Sequence, residues 1–468
     1  MKRIWVIILL AAAIQACKKD HRSDPVPVNQ ATVTVNLDIN HPANAISPQF
    51  QGFSFETWLL CRNPAYLNAN NAVLIQLFKN LGTGVLRMGG NSSDETGWTG
   101  KPRTSGTSPD SLTTSEIDRL ADFSKATGWP VIFGLNLGTG SVASTTDEAV
   151  YTYNHLGQNL YALQIGNEPD YFKLGYRAKN YSVNDYENEW MTDFAAIKKV
   201  LPAAVFSGPD VSDNLTWAQT FATDYSTNIK LLDAHYYVDG PATDSSVTIK
   251  TILTSDTYLP EYSYNLNLIA TQAGLGYRIT EANNIWGGGK AGVSDTFAST
   301  LWALDMMWTI AENNGQGVNF HTGEGLCYSP FTSEKGVWTI NPEYYAMLAF
   351  QSGAAGGKVV PLAIDNPAYN CSVHACVKEN GACSVTLINR DQEQDIYFTL
   401  QPGKTISHIT IDRLSAPSVI SKTGVTFAGS TVSNDGTFNP VNTGQISVNK
   451  NSVVVKVPKG SAAIVTIY

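Results

Sequence analysis

The residues best suited to chemistry are two glutamates that each end a short apolar run. Glu168 follows Asn167 at the end of one run, and Pro169 prevents that strand from continuing regularly. Glu281 ends a second run, 277–281. The carboxyl ends of buried parallel strands are where barrel enzymes carry out their chemistry. Retaining glycosidases hold two carboxyls about 5–5.5 Å apart. The pattern therefore predicts a glycosidase pair.

Alternating strand and helix patterns between residues 46 and 355 predict the element that positions both glutamates. The predicted strands are 52–55, 84–88, 131–135, 162–165, 204–207, 231–235, 277–280 and 317–320. The predicted helices are 72–80, 115–127, 183–200, 295–313 and 342–351, with Ser182 and Ser294 as caps of the third and fourth. This order is typical of repeated βα units, so we expect an α/β fold with a (β/α)8 TIM barrel.

The segments on either side of the predicted barrel are rich in strand-like patterns. Over residues 356–468, short strand-like runs alternate with Gly, Pro and Asn turns, which indicates a β-sandwich. The predicted strands are 359–364, 384–389, 395–400, 406–412, 444–448 and 452–456. Segment 31–45 opens with a period-two run typical of a half-buried strand, and we assign it to the same sandwich because the barrel has no place for it.

The amino terminus has the pattern of a targeting segment. Two basic residues precede the apolar run 4–13, and a small residue precedes Cys17. The sequence Ile-Gln-Ala-Cys resembles a bacterial lipobox, which implies that residues 1–17 are a lipoprotein signal with Cys17 as the lipidated residue. An ordinary cleaved signal is the alternative. Residues 18–30 are predicted to be a tether, and the lysine after the cysteine resembles an outer-membrane sorting signal.

Composition restricts the partners. With 43% hydrophobic and 15% charged residues the chain is globular, and its net charge of −9 without a basic patch argues against nucleic acid. It contains no zinc-protease, phosphate-loop or dinucleotide motif, so we expect chemistry without a cofactor or metal.

Five cysteines besides Cys17 leave disulfide connectivity open. An exported protein permits disulfides. A local disulfide among Cys371, Cys376 and Cys383 is favoured over a metal site, and a bond between Cys61 and Cys327 near the barrel mouth is a further option.

Several stretches together resemble glycoside hydrolase family 79, the β-glucuronidase and heparanase family of clan A. They lie at 52–56, 86–94 (Leu-Arg-Met-Gly-Gly-Asn-Ser-Ser-Asp), 163–170, 280–298 and 317–321. The resemblance covers most of the barrel. It implies that Glu168 is the acid/base and Glu281 the nucleophile, with net retention. It also implies that the sugar hydroxyls and the nucleophile are held by Glu56, Asp94, Asn167 and Tyr237.

The loop after Glu281 is the candidate site for a uronate carboxylate. Gly287 and Gly288 can offer unobstructed backbone N–H groups to an anion. A flexible turn is the plainer interpretation of three consecutive glycines, but the family resemblance favours the anion site. Tyr328 is expected to add a hydroxyl group, and Trp286 stands where the resemblance places an aromatic side chain.

These features predict an exported, lipid-anchored retaining hydrolase that releases β-linked glucuronic acid, with or without a 4-O-methyl group, from glycans. A related clan A xylosidase or arabinofuranosidase is one alternative, and a surface glycan-binding lipoprotein without activity is another. The natural linkage, exo or endo action and the oligomeric state stay open. The face of the outer membrane at which the protein resides, periplasmic or external, stays open too.

Overall fold

A computed structural model describes residues 30–365, 368–441 and 444–468. The predicted signal segment, Cys17 and nearly all of the tether lie outside these ranges. Within them, no helix combines the length and the apolar character needed to cross a bilayer.

Eight parallel strands form the barrel. In chain order, barrel strands one to eight are Gln51–Glu56, Val85–Gly89, Val131–Leu135, Leu160–Ile165, Ser207–Val211, Leu231–Asp239, Gly276–Ile285 and Val318–His321. The eighth strand pairs with the first, and a bridge between Leu163 and Phe206 joins the fourth strand to the start of the fifth. There the Leu163 N–H donates to the carbonyl of Val205 at 2.9 Å. The predicted (β/α)8 barrel is confirmed.

Helices cover the outside of the barrel, so the strands are buried on both faces. The α-helices are Thr57–Arg62, Ala72–Asn80, Thr114–Thr127, Val142–Leu156, Val183–Val200, Leu215–Tyr225, Ile249–Leu253, Tyr258–Gln272, Phe297–Glu312 and Pro342–Ala354. Their ends follow capping chemistry. Ser182 and Asp185 form the capping box that begins Val183–Val200, as the sequence predicted.

Two local predictions for the barrel were wrong. The fifth barrel strand was placed at 204–207, but the chain pairs with the sixth strand from Ser207 to Val211. The sequence Gly-Pro-Asp at 208–210 is typical of a turn, which is why the pattern ended the strand too early. Ser294 does not cap the next helix. Its hydroxyl accepts the N–H of Lys290 at 2.9 Å, and the helix begins after Thr296.

The carboxy-terminal domain consists of two sheets packed face to face. One contains Gly357–Val359, Cys371–Lys378, Cys383–Asn389, Ser461–Ile467, Ile406–Ser415, Thr426–Phe427 and Ile446–Lys450, and the other Leu362–Asp365, Ala31–Leu37, Ile396–Gln401 and Val453–Val457. The amino-terminal strand thus lies between two strands from the end of the chain. The predicted strand 359–364 is divided at Pro361, which cannot donate to a ladder. Cys371–Lys378 and Ser461–Ile467 were not predicted.

The five cysteines in the described ranges are free thiols. The favoured local disulfide is therefore wrong, and so is the optional bond between Cys61 and Cys327. Within the β-domain, Val377 rather than Cys376 is the residue paired with Cys383. Successive side chains of a strand point to opposite faces. Cys376 therefore packs toward the barrel while Cys383 lies in the core between the two sheets.

Candidate active site

Local irregularities at the ends of two barrel strands aim the glutamates into the mouth. Glu168 has a left-handed backbone with φ 46° and ψ 53°, between Gly166 at φ 82° and Pro169. Its N–H donates to the carbonyl of Asp210 at 2.9 Å, which fixes the turn. In the seventh strand the register shifts between Ile279 and Glu281, a bulge that re-aims the second glutamate.

The two carboxyl groups lie close together. One oxygen of Glu168, one oxygen of Glu281 and one ring nitrogen of His235 are all within 4.8 Å of each other. Inverting glycosidases need about 6.5–9.5 Å between their carboxyls to admit a water molecule, whereas retaining enzymes use about 5–5.5 Å. The separation therefore fits nucleophilic attack by one carboxylate with proton transfer by the other.

A fully buried arginine organises the base of the site. Arg87 donates to Ser54 Oγ at 2.7 Å, Gln164 Oε1 at 3.0 Å, Asn167 Oδ1 at 2.7 Å, Asp210 Oδ2 at 2.5 Å and Glu281 Oε2 at 2.9 Å. The rigid guanidinium fork orients all of these groups at once. Arg87 thereby links the strand ends that carry the two glutamates.

The surroundings of Glu281 favour its ionised form. Tyr237 Oη donates to Oε1 at 2.8 Å, and His321 Nδ1 lies 3.1 Å from Oε2. Burial alone would raise the pKa of Glu281, but the charges of His321, His235 and Arg87 outweigh it and hold that pKa well below its usual range. An ionised carboxylate beside the reacting carbon is what a nucleophile requires.

The surroundings of Glu168 act in the opposite direction. Burial raises the pKa of Glu168, and the charge of Glu281 raises it further, although a hydrogen bond from His235 opposes the shift. His235 Nδ1 lies 2.9 Å from Glu168 Oε1, and its Nε2 lies 3.1 Å from Asp210 Oδ1. Two neighbouring carboxyls with pKa values pushed apart are the mark of an acid and a nucleophile.

The cluster of Glu168, His235 and Glu281 has a spacing that a cation could use, but its donor atoms are committed. Burial lowers the pKa of His235, yet Asp210 and Glu281 raise it to about 10, so the imidazole is protonated at neutral pH and has no lone pair for a metal. Both oxygens of Glu281 accept hydrogen bonds from Tyr237 and Arg87. The donor set fits proton chemistry better than metal binding.

Of the three residues expected to bind sugar hydroxyls, Glu56 and Asn167 face the site. Glu56 Oε2 accepts the N–H of Ser92 at 2.9 Å, while its Oε1 lies 3.7 Å from His321 Nε2. The side chain of Glu56 is 15% exposed. The side-chain amide of Asn167 lies between Arg87 and Asn91. Its Oδ1 accepts a hydrogen bond from Arg87, and its Nδ2 donates to Asn91 Oδ1 at 3.1 Å. Contact of either residue with a sugar ring stays a prediction.

Asp94 occupies a different position. It is 1% exposed, and its oxygens accept the backbone N–H groups of Leu137 at 2.9 Å, Gly138 at 2.8 Å and Asn167 at 2.8 Å. Burial raises the pKa of Asp94 to about 7, although the hydrogen bonds from those three N–H groups oppose the rise. The structure therefore gives Asp94 a positioning role beneath Asn167, and direct contact with sugar stays a prediction.

The glycine loop after the seventh strand, the predicted anion cradle, has an unusual backbone. Gly287, Gly288 and Gly289 have φ of 85°, 91° and 81°, a region that favours glycine. Within the described parts of the chain, the N–H groups of Gly287 and Gly288 donate to no protein acceptor, whereas that of Gly289 donates to Ile285 at 3.1 Å. Successive N–H groups in a turn are a known arrangement for binding anions, and the two free donors are compatible with the predicted site.

The aromatic residues predicted for this region lie on two sides of the loop. Tyr328 is 3% exposed, and its ring centroid lies 6.3 Å from that of Tyr237, the residue that contacts the nucleophile. The Cys327 N–H donates to the Gly288 carbonyl at 2.7 Å, which ties Tyr328 to the loop. Trp286 is 48% exposed and lies against Gly240 on the rim.

Four charged residues of the site had no assigned role before the fold was known. Arg87 and His321 lay within stretches that carried the family resemblance, and His235 ended a predicted strand. Asp210 gave no signal, because its strand was predicted to end three residues earlier. A search for polar or charged residues at the carboxyl end of every barrel strand would have identified these residues as candidates.

Comparison with known proteins places the chain among carbohydrate-active enzymes. Residues 357–464 match the model described as "Glycosyl hydrolase family 79 C-terminal beta domain". A β-glucuronidase from Aspergillus niger is 25% identical over 542 aligned positions, which cover 99% of each chain. Heparanase-like protein 3 of Arabidopsis thaliana is 21% identical over 62% of this chain and 56% of its own.

Solved structures show the same fold. A 4-O-α-L-rhamnosyl-β-D-glucuronidase from Fusarium oxysporum superposes with a TM-score of 0.77 at 20% identity, covering 92% of this chain and all of the other. A family 51 arabinofuranosidase from Xanthomonas axonopodis pv. citri gives 0.69 at 15% identity, covering 94% and 100%. Barrel and β-domain therefore form one architecture that recurs in several glycosidases.

Proposed function

Because the chain belongs to glycoside hydrolase family 79, we propose that it releases β-linked glucuronic acid, with or without a 4-O-methyl group, from glycans by a retaining double displacement. The observation that supports this most is the close approach of Glu168 and Glu281, whose pKa values are pushed in opposite directions. The named activity of the full-length Aspergillus niger relative supports the choice of sugar.

In the first step, a carboxylate oxygen of Glu281 forms a bond to the anomeric carbon as the bond to the leaving oxygen breaks. Glu168 transfers its proton to that oxygen. Arg87 and Tyr237 hold the nucleophile in line through hydrogen bonds of 2.9 and 2.8 Å. The product of this step is a glycosyl ester on Glu281 and a free alcohol.

In the second step, a water molecule attacks the anomeric carbon and Glu168 takes its proton. Esterified Glu281 carries no charge, so the repulsion that raised the pKa of Glu168 is gone. The pKa of Glu168 therefore falls once the ester forms, which suits its change from acid to base. Cleavage of the ester restores the Glu281 carboxylate and gives net retention.

The uronate carboxylate is assigned to the cradle of Gly287 and Gly288. Their free N–H groups supply two donors, and Tyr328 is positioned beside them through its neighbour Cys327. A pentoside has no carboxylate to fill this cradle, so the xylosidase and arabinofuranosidase alternatives leave the two donors without a ligand.

Steady-state hydrolysis of chromogenic β-D-glucuronide, β-D-xyloside and α-L-arabinofuranoside by the wild type and by Gly287→Ala tests the proposal. We expect the glucuronide to be the best substrate. The alanine should lower kcat/KM for it, because a left-handed backbone costs a non-glycine residue about 1–2 kcal/mol. Gly292→Ala is the matched control, since Gly292 has φ 80° and open space around it. Faster pentoside hydrolysis would support the alternative, and no turnover of any substrate would support a binding protein.

The proposal includes export and anchoring through Cys17, which follows from the lipobox-like sequence. In this view residues 1–17 are the signal, residues 18–30 the tether, and the outer membrane the destination. Cys17→Ala should move the protein from the membrane fraction to the soluble fraction. Unchanged fractionation of the variant would refute the anchor without affecting the catalytic proposal.

A further inference from the structure

Apart from Asn167 and Tyr237, the residues already assigned to the sugar leave one side of the barrel mouth open. Glu56 belongs to the first barrel strand, and the glycine cradle and Tyr328 follow the seventh and eighth. A uronosyl ring bound to these groups has its leaving oxygen at Glu168, at the end of the fourth strand. The leaving group must then extend over the loops that follow the fourth, fifth and sixth strands.

Tyr171 stands beside the acid/base on this open side. Its N–H donates to the Glu168 carbonyl at 2.8 Å, on the short turn Pro169–Leu174. This backbone contact fixes the position of Tyr171 beside the acid/base, and 47% of the residue is exposed. An exposed tyrosine side chain presents an apolar ring to a ligand.

Tyr258 approaches the same place from the helix Tyr258–Gln272. Its ring centroid lies 5.6 Å from that of Tyr262, whose hydroxyl donates to the His235 carbonyl at 2.9 Å. His235 in turn contacts Glu168. Tyr258 is 48% exposed, so its ring also remains available for contact.

Asp213 lies on the same side of the mouth. It is exposed in the loop after the fifth barrel strand, and the Ser212 hydroxyl lies 2.6 Å from Asp170 Oδ2 and 3.4 Å from Asp213 Oδ1. Two further acidic residues adjoin the rings: Asp170 precedes Tyr171 in the chain, and Asp256 accepts the N–H of Tyr258 at 2.9 Å. This surface accepts hydrogen bonds and repels anions.

We propose that Tyr171, Tyr258 and Asp213 form the binding site for the leaving group, and that this group is a neutral sugar. The tyrosine rings pack against the apolar face of the sugar, and Asp213 accepts hydrogen bonds from its hydroxyls. Sulfated or carboxylated leaving groups are selected against. The inference rests on the proposed function, because it takes the position of the uronosyl ring from it.

Two substrates that share the uronosyl group but differ in the leaving group distinguish effects on the leaving-group site from effects on the catalytic residues. One is a disaccharide of β-D-glucuronic acid linked to a neutral hexose, and the other is β-D-glucuronyl fluoride, whose leaving group is too small to reach the tyrosines. Tyr171→Ala and Tyr258→Ala should each lower kcat/KM for the disaccharide about tenfold, or about 1.4 kcal/mol. Turnover of the fluoride should stay within about twofold of the wild type, a change of less than about 0.5 kcal/mol.

Tyr264→Ala is the matched control, because Tyr264 is an equally exposed tyrosine on the same helix and is 53% exposed. It should leave both substrates unaffected. Asp213→Asn should lower the ratio of kcat/KM for the neutral disaccharide to kcat/KM for its 6-sulfated form, because the substitution removes a negative charge that repels the sulfate.

Equal losses on both substrates would show that the tyrosines only support the fold, and no loss on the disaccharide would show that they do not contact the leaving group. Either result overturns the proposal. Failure of the wild type to hydrolyse even the fluoride would instead refute the proposed function, and the leaving-group site with it.

Discussion

The contact between His235 and Glu168 leads to a quantitative prediction about pH dependence. His235 Nδ1 lies 2.9 Å from Glu168 Oε1, and the pKa of His235 is raised to about 10, so the imidazolium stabilises the ionised acid/base. His235→Gln removes that positive charge and leaves Asp210 nearby. Both effects destabilise the Glu168 carboxylate and raise its pKa further.

The size of the shift follows from the interaction that is lost. A hydrogen bond to a charged group contributes about 1.5–3 kcal/mol. One pKa unit corresponds to about 1.36 kcal/mol. The pKa of Glu168 should therefore rise by about one to two units in the variant. Glu168 must be protonated to act. The alkaline limb of the kcat/KM profile should therefore move to higher pH by the same one to two units.

The assay is kcat/KM for a chromogenic β-D-glucuronide measured across pH 4 to 10. His321→Gln is the comparison, since His321 lies beside the nucleophile, with Nδ1 3.1 Å from Glu281 Oε2. Removing the His321 imidazole should raise the pKa of Glu281. The acidic limb of the profile should then move to higher pH, while the alkaline limb stays in place. An alkaline limb of His235→Gln that stays in place or moves downward would refute the reasoning.

Two further predictions concern other parts of the molecule. Tyr237→Phe loses the hydroxyl that donates to Glu281 at 2.8 Å, so kcat/KM should fall about 10- to 150-fold, as expected for a charged hydrogen bond. An unchanged rate would contradict this role. His374 of the β-domain lies 2.9 Å from Asp305 and 2.8 Å from Glu312 on a barrel helix. Burial lowers the pKa of His374, but the two carboxylates raise it to about 9. Its contribution to stability is therefore complete below about pH 6.5 and lost as pH rises through 9. Calorimetry should show a steeper fall in Tm from pH 7 to 10 for the wild type than for His374→Gln, and equal slopes would contradict it.

The sequence was sufficient to predict the barrel and to single out Glu168 and Glu281. Their signals are local, because an apolar strand and the polar residue that ends it are neighbours in the chain. The family resemblance added roles to Tyr237 and the glycine loop, and the structure brings these residues to one mouth. Their roles await experiment.

Other features depended on contacts between distant segments. Asp210 reaches Arg87 only because a bulged strand continues through Gly208 and Pro209, a sequence that is typical of a turn. The oxygens of Asp94 accept N–H groups from two other strand ends, which no spacing in the sequence indicates. The parallel pairing of Ala31–Leu37 with Ile396–Gln401 joins the two ends of the chain in the same way.

The measurement that tests the central claim most directly is the stereochemistry of hydrolysis. Proton NMR can follow the release of glucuronic acid from a β-D-glucuronide before mutarotation mixes the anomers. Carboxyl oxygens of Glu168 and Glu281 within 4.8 Å are closer than the separation at which inverting enzymes admit a nucleophilic water beside the sugar, so the β-anomer should appear first. Initial release of the α-anomer would contradict the double displacement and the roles given to both glutamates.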